Sequence, residues 1–100
     1  MTVQEVRKDL RAIRYYYSKQ KDFEKAAETV GANRVAGIAQ RYHRIVTNAS
    51  PRLYEVYVQL YLRNNTQETL AFDWDCSTEY IKRLNKQLYE FIIDQFKEEN

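Results

Sequence analysis

Two glycines and one proline in 100 residues leave this chain almost nothing with which to turn a β-hairpin. Hairpins and the sandwiches or barrels built from them draw heavily on Gly, Asn-Gly and Asp-Gly turns. Apolar residues instead return at spacings of three and four, the period that lines one face of a helix. The expectation is an all-α fold, a five- or six-helix bundle in one domain spanning 1–100. The hydrophobic share of 44% is too high for a disordered chain. The longest apolar runs, such as Tyr15–Tyr17 and Phe91–Ile93, are a few residues, far short of the roughly 20 that cross a bilayer. The first residues, Met1-Thr2-Val3-Gln4-Glu5, lack the apolar core of a secretory leader. One cysteine permits no internal disulfide. A cytoplasmic protein without membrane partners is expected. The triplets Asn48-Ala49-Ser50 and Asn64-Asn65-Thr66 then carry no glycosylation meaning.

Along the chain, Thr2 and Glu5 have capping-box spacing. Behind them Val3, Val6, Leu10, Ile13 and Tyr17 share a face, with Arg7, Lys8, Arg11 and Arg14 opposite. This predicts a helix over about 2–19. A short second helix is expected over Lys21–Val30, stopped by Gly31, and a third over Asn33–Val46 with Val35, Ile38, Tyr42 and Ile45 inward. Arg34, Arg41 and Arg44 lie outside that stripe. Ser50 and Pro51 open a fourth helix as N-cap and first helical residue, burying Leu53, Val56, Leu60 and Tyr61 and fading near Arg63-Asn64. Residues 2–47 thus form a basic N-terminal helical part, and 51–97 a second part.

The pattern changes after Asn65. Asn65-Thr66-Gln67-Glu68 has capping-box spacing, and the helix it opens can reach only about Phe72. Asp73-Trp74-Asp75-Cys76 interrupts it, and Ser77 can cap a last helix running to about Gln95 or beyond. Helix, four-residue turn and helix make a helix-turn-helix unit. Gln67 stands at its start, Ala71 at the small position where the helices cross, and Leu70, Trp74, Cys76, Ile81 and Leu84 at the apolar points. Thr66-Gln67-Glu68-Thr69-Leu70-Ala71 with Ser77-Thr78-Glu79-Tyr80-Ile81-Lys82-Arg83-Leu84 resembles region 4 of sigma factors. With Asn64-Asn65, Pro51-Arg52-Leu53-Tyr54 and Arg14-Tyr15-Tyr16-Tyr17-Ser18, the chain is similar to small phage and mobile-element regulators of Gram-positive bacteria, of the ArpU type. The turn position that usually holds glycine is Asp75.

The resemblance implies a DNA-binding transcriptional regulator whose partner is double-stranded DNA. The helix from Ser77 would enter the major groove, presenting Thr78, Glu79, Lys82, Arg83 and Lys86. Lys82 or Arg83 would donate to guanine and Glu79 would accept from cytosine N4. Thr66 and Gln67, at a helix start, would meet a phosphate. The rival is a protein-interaction module that binds RNA polymerase, a sigma factor or a repressor without reading DNA. It draws support from residues 53–89, where 4 basic side chains face 5 acidic ones. Phosphate contacts dominate DNA affinity, so a more basic motif would be the usual one.

Other chemistries find no footing. Asp73–Ser77 starts like a calcium loop, but that loop needs Gly where Thr78 stands and Glu where Leu84 stands. His43 and Cys76, single residues of their types, have no neighbours to complete a metal site or a nucleophilic pair. No cofactor, metal or catalytic set is expected, and the chain reads as a non-enzyme. The 9 tyrosines fit half-buried packing better than a base-stacking platform, since Tyr15, Tyr16 and Tyr17 point three ways on a helix. Leu88, Phe91, Ile92 and Phe96 extend the last apolar stripe beyond the motif, for packing on the N-terminal helices or, alternatively, for a homodimer.

The charge is divided. Net charge is +2, yet residues 1–52 hold 11 basic and 5 acidic side chains, and 53–100 hold 5 basic and 9 acidic. The motif falls in the acidic half. Phosphate contacts are therefore expected from Arg7, Arg11, Arg14, Arg41 and Arg44, provided they share a surface with the motif.

Overall fold

Hydroxyl side chains open four of the helices. Thr2 accepts from the Glu5 backbone N–H at 3.2 Å, Ser50 from Leu53 at 3.4 Å, Thr66 from Thr69 at 3.0 Å and Ser77 from Tyr80 at 3.1 Å. Each bond satisfies one of the amides that a helix start leaves without an intrahelical acceptor. The computed structural model of the chain describes residues 1–19 and 30–99, and every regular element among them is helical. They are α1 (Val3–Ser18), α2 (Val30–Val46), α3 (Pro51–Tyr57), α4 (Gln67–Asp73) and α5 (Thr78–Glu99). The second helix expected from the sequence, except for Val30, lies outside the described residues.

Two local expectations change and a third is refined. The helix expected from Asn33 begins at Val30, so Gly31 lies inside it rather than stopping a helix there. Thr66, not Asn65, caps α4, because Asn65 is drawn back onto the helical residues that follow α3: its N–H donates to the Gln59 carbonyl at 2.9 Å and its Nδ2 to Gln59 Oε1 at 2.6 Å. The fourth helix ends where expected, near Arg63-Asn64, but its last turn widens into a π-helical stretch, Val58–Leu62, with the Arg63 N–H reaching the Val58 carbonyl at 2.8 Å. Arg63 caps it, and Asn64 beyond has a left-handed φ of 62°. The Arg14 Nε donates to Asn64 Oδ1 and fastens that corner to α1.

The turn after α4 has a defined physical basis. The Cys76 N–H donates to the Ala71 carbonyl at 2.9 Å and the Asp75 N–H to the Phe72 carbonyl at 3.2 Å. Those are the paired bonds of a Schellman ending, which places a left-handed residue between Trp74 and Cys76. Asp75 fills that place at φ 52°, a conformation that Asp tolerates better than most non-glycine residues.

One core joins all five helices. α5 supplies its axis, with Ile81, Leu84, Leu88, Ile92 and Phe96 buried along one face. Against it lie Val6, Leu10 and Ile13 of α1, Tyr42, Ile45 and Val46 of α2, Val56 and Tyr57 of α3, and Leu70 and Ala71 of α4. Full burial of such an aliphatic side chain stabilises by about 1.5–3 kcal/mol. The end of the last stripe therefore packs within the chain, through Leu88, Ile92 and Phe96, while Phe91 is half-buried. Some stripe positions shift: Val3 is 45% exposed, and Val35 and Ile38 are half-buried while Ala39 and Val46 take the inner places. Tyr57, expected at the border of a stripe, is fully buried, and its hydroxyl finds no hydrogen-bond partner among the described residues.

Candidate nucleic-acid interface

The inward faces of α4 and α5 determine which motif side chains remain outside. With Leu70, Ala71, Ile81 and Leu84 buried, Glu79, Lys82, Arg83 and Lys86 are exposed, while Gln67 and Thr78 are half-exposed. Thr66 and Ser77 spend their hydroxyl oxygens on the caps. Lys82 and Glu79 form an ion pair at 3.7 Å with both side chains largely exposed. A pair so open to solvent contributes little to stability and is available for exchange.

Beside the motif lies an open groove of about 430 Å³. α5 lends it Lys82, Asn85, Lys86 and Tyr89, α4 lends Gln67, and α1 lends Arg7 with Val3. Glu90 is the one carboxylate on its wall. Arg7 also borders an adjoining hollow with Gln4, Lys8 and Arg11. Arg7, Arg11 and Arg14 follow one another at helical spacings of four and three, so they form a ridge along one side of α1. The structure thus brings Arg7 next to Lys82 and Lys86, with Arg11 in the hollow that shares Arg7, and Arg14 to the Asn64 corner just before α4.

Arg41 and Arg44 are elsewhere. The Arg41 guanidinium lies 4.3 Å from the centre of the Phe96 ring. Fourteen residues of α5 separate Phe96 from Lys82, about 21 Å along the helix axis. Both arginines border a different cavity with Tyr17, Gly37, Gln40 and His43. Arg83 is exposed on α5 and borders none of these hollows, being about 100° around the helix from Lys82.

The groove floor was not anticipated from the sequence. Asn85, only 7% exposed, interrupts the apolar stripe between Ile81 and Leu88. Its Oδ1 accepts from the Tyr61 hydroxyl at 2.5 Å, and its Nδ2 donates to the Tyr89 hydroxyl at 2.9 Å. The two hydroxyls lie 3.3 Å apart. Because Tyr61 has already donated its one proton to Asn85, Tyr89 is the donor in that contact. The result is a closed ring of three bonds. Burial raises the Tyr61 pKa above its ordinary value. A polar residue set within a helical apolar stripe was the signal that could have revealed this ring.

On the far side of α4 the surface is different. Phe72 is 86% exposed, with Glu68 one turn before it and Asp73 and Asp75 beyond, all exposed. Trp74 next to it is covered on one side by the Arg52 guanidinium, 4.7 Å from the ring centre. Among the described residues no group of His, Cys, Asp and Glu could hold a metal ion, and no helix is long and apolar enough to cross a membrane. No family model, curated protein or solved structure matches the chain.

Proposed function

We propose that the chain is a sequence-specific DNA-binding transcriptional regulator in which α4, its turn and α5 act as a helix-turn-helix. The observation that carries this reading is the groove, which sets Arg7 of α1 beside Gln67, Lys82 and Lys86 of the motif. The near-neutral charge of residues 53–89 favours the rival reading, and in the DNA reading the α1 ridge supplies the phosphate grip the motif lacks. In this reading the first turns of α5 enter the major groove, with Thr78, Glu79 and Arg83 toward the base edges and Lys82 and Lys86 beside them. The α4 start, at Thr66 and Gln67, meets the backbone. A phage or mobile-element setting follows from the family resemblance alone.

Random-site selection on the full chain, followed by binding at two salt concentrations, tests this. The expected result is one enriched sequence, with affinity falling steeply as salt rises. An inverted repeat among the selected sites would identify a two-copy complex. Absence of duplex binding at low salt would sink the reading, and binding without sequence preference would reduce it to a nonspecific one.

A second reading, docking onto a protein such as RNA polymerase, is favoured by Phe72. Phe72 is 86% exposed, and aromatic side chains are enriched at protein interfaces relative to the rest of the surface. Its acidic neighbours Glu68, Asp73 and Asp75 would repel a polyanion. The two readings use opposite sides of α4, so a regulator could employ both.

A further inference from the structure

We infer that the groove between α1 and α5 is a seat for a single phosphate group, with Arg7, Lys82 and Lys86 as its cationic walls and Asn85 as its floor. Three cations converge there from two helices far apart in sequence, against the one carboxylate of Glu90. Arg7 and Lys86 form no ion pair within 4.0 Å of any described carboxylate, and the pairing of Lys82 with Glu79 is long and exposed. That leaves the groove with an excess of positive charge for an anion to neutralise.

The floor gives the seat its direction. Asn85 is more than nine-tenths buried, held from behind by Tyr61 and from the side by Tyr89. Its Oδ1 is turned to the Tyr61 hydroxyl and one Nδ2 hydrogen to Tyr89, so its other Nδ2 hydrogen is without a protein acceptor among the described residues. A buried amide hydrogen of this kind calls for an acceptor. A phosphate oxygen is the acceptor that also satisfies the surrounding cations, and Arg7 can hold two such oxygens at once. Tyr61 and Tyr89, closed into a ring with Asn85, fix the amide and are positioning residues. Lys82 and Lys86 are thereby drawn toward backbone contact, which concentrates base reading on Thr78, Glu79 and Arg83.

The source of the phosphate is either a nucleic-acid backbone or a free phosphate monoester, and only the first depends on the proposed DNA function. The test follows the Asn85 side-chain amide by NMR in the full chain. It is titrated in turn with inorganic phosphate, adenosine monophosphate and a selected duplex, each against chloride at matched ionic strength. Phosphate-bearing probes should shift the Asn85 amide and chloride should not. Arg7→Ala with Lys86→Ala, both at exposed positions, should weaken binding about tenfold or more. Arg41→Ala with Arg44→Ala, an equal loss of charge at the far end, should leave it within about twofold. A shift that the duplex produces and inorganic phosphate competes away identifies the backbone as the source. A shift with the monophosphates, and none with a duplex that does not bind, keeps the seat and removes the DNA reading. Tight duplex binding that leaves the Asn85 amide unmoved overturns the seat and keeps the DNA reading. An unchanged affinity in the Arg7 and Lys86 double variant also overturns it.

Discussion

Arg7 and Arg11 on α1 and Arg41 and Arg44 on α2 come from the same basic half of the sequence, yet the fold sends them to different places. On α1, Arg7 stands beside Lys82 and Lys86 of α5 at the groove, and Arg11 lines the hollow that shares Arg7. On α2, Arg41 lies over Phe96 at the far end of α5, and together with Arg44 it borders another cavity. Charge counted along a segment is therefore not charge on a surface. α1 crosses α5 with its early turns beside Tyr89 and Glu90, so its outer face continues the motif's. α2 meets the end of α5, and its arginines follow that end.

The largest expected difference separates these two pairs directly. Arg7→Ala with Arg11→Ala should flatten the dependence of log affinity on log salt by about 2 and weaken duplex binding by tens-fold at about 0.1 M salt. Arg41→Ala with Arg44→Ala should change the slope by less than about 0.5 on the same scale. Equal slopes in the two double variants would erase the distinction between the surfaces.

A smaller effect comes from the buried hydrogen bonds behind each surface. Asn85→Ala leaves Tyr61 and Tyr89 with only each other and should cost about 1–3 kcal/mol in urea unfolding, with weaker duplex binding besides. At the other end the Tyr42 hydroxyl donates to Asp9 Oδ2 at 2.7 Å, and its ring lies 5.5 Å from that of Phe96. Tyr42→Phe should cost about 1 kcal/mol and leave duplex binding as it was. Loss of binding in Tyr42→Phe would show that the ends are not independent.

Both ends share a response to alkali. Burial pushes the hydroxyl pKa of Tyr42, Tyr57 and Tyr61 above the ordinary value of 10.0. The folded state then keeps protons that the unfolded state loses, so stability is intact below pH 10 and falls as pH rises above it. A urea midpoint that stays level between pH 9 and 11 would contradict this burial. Tyr42→Phe should soften the decline by one group, and Asn85→Ala should not remove it.

The smallest effect is expected at Phe72. Phe72→Ala should alter stability by less than about 0.5 kcal/mol and leave duplex binding unchanged, since the side chain faces away from the core and the acidic side of α4 faces away from DNA in the proposed reading. A clear loss of duplex affinity would place DNA on that side of α4 and reverse the assignment of its two faces.

Much of this was legible beforehand because it is written locally. The caps at Thr2, Ser50 and Ser77, the inward stripe of α5 and the turn at Asp75 follow from residues within a few positions of one another. The end of the fourth helix near Arg63-Asn64 was legible too, but its π-helical winding and the tie of Asn64 to Arg14 were not, because the tie comes from another helix. The cap of α4 moved from Asn65 to Thr66 for a similar reason, the competition of Gln59 for Asn65. The role of Asn85 is not legible locally, since a lone amide in an apolar stripe acquires meaning only when Tyr61 arrives opposite it.

The sequence by itself determined the helical class, most of the helix starts, the face that each helix buries, and which motif side chains stay outside. These depend on a period of 3.6 residues and on hydroxyls near chain neighbours, which act over one or two turns. Only the tertiary structure decided which arginines join the motif and that a buried amide lies beneath them. Those outcomes depend on how α1, α2 and α5 cross, and crossing is settled by interlocking side chains across the core rather than by any local spacing.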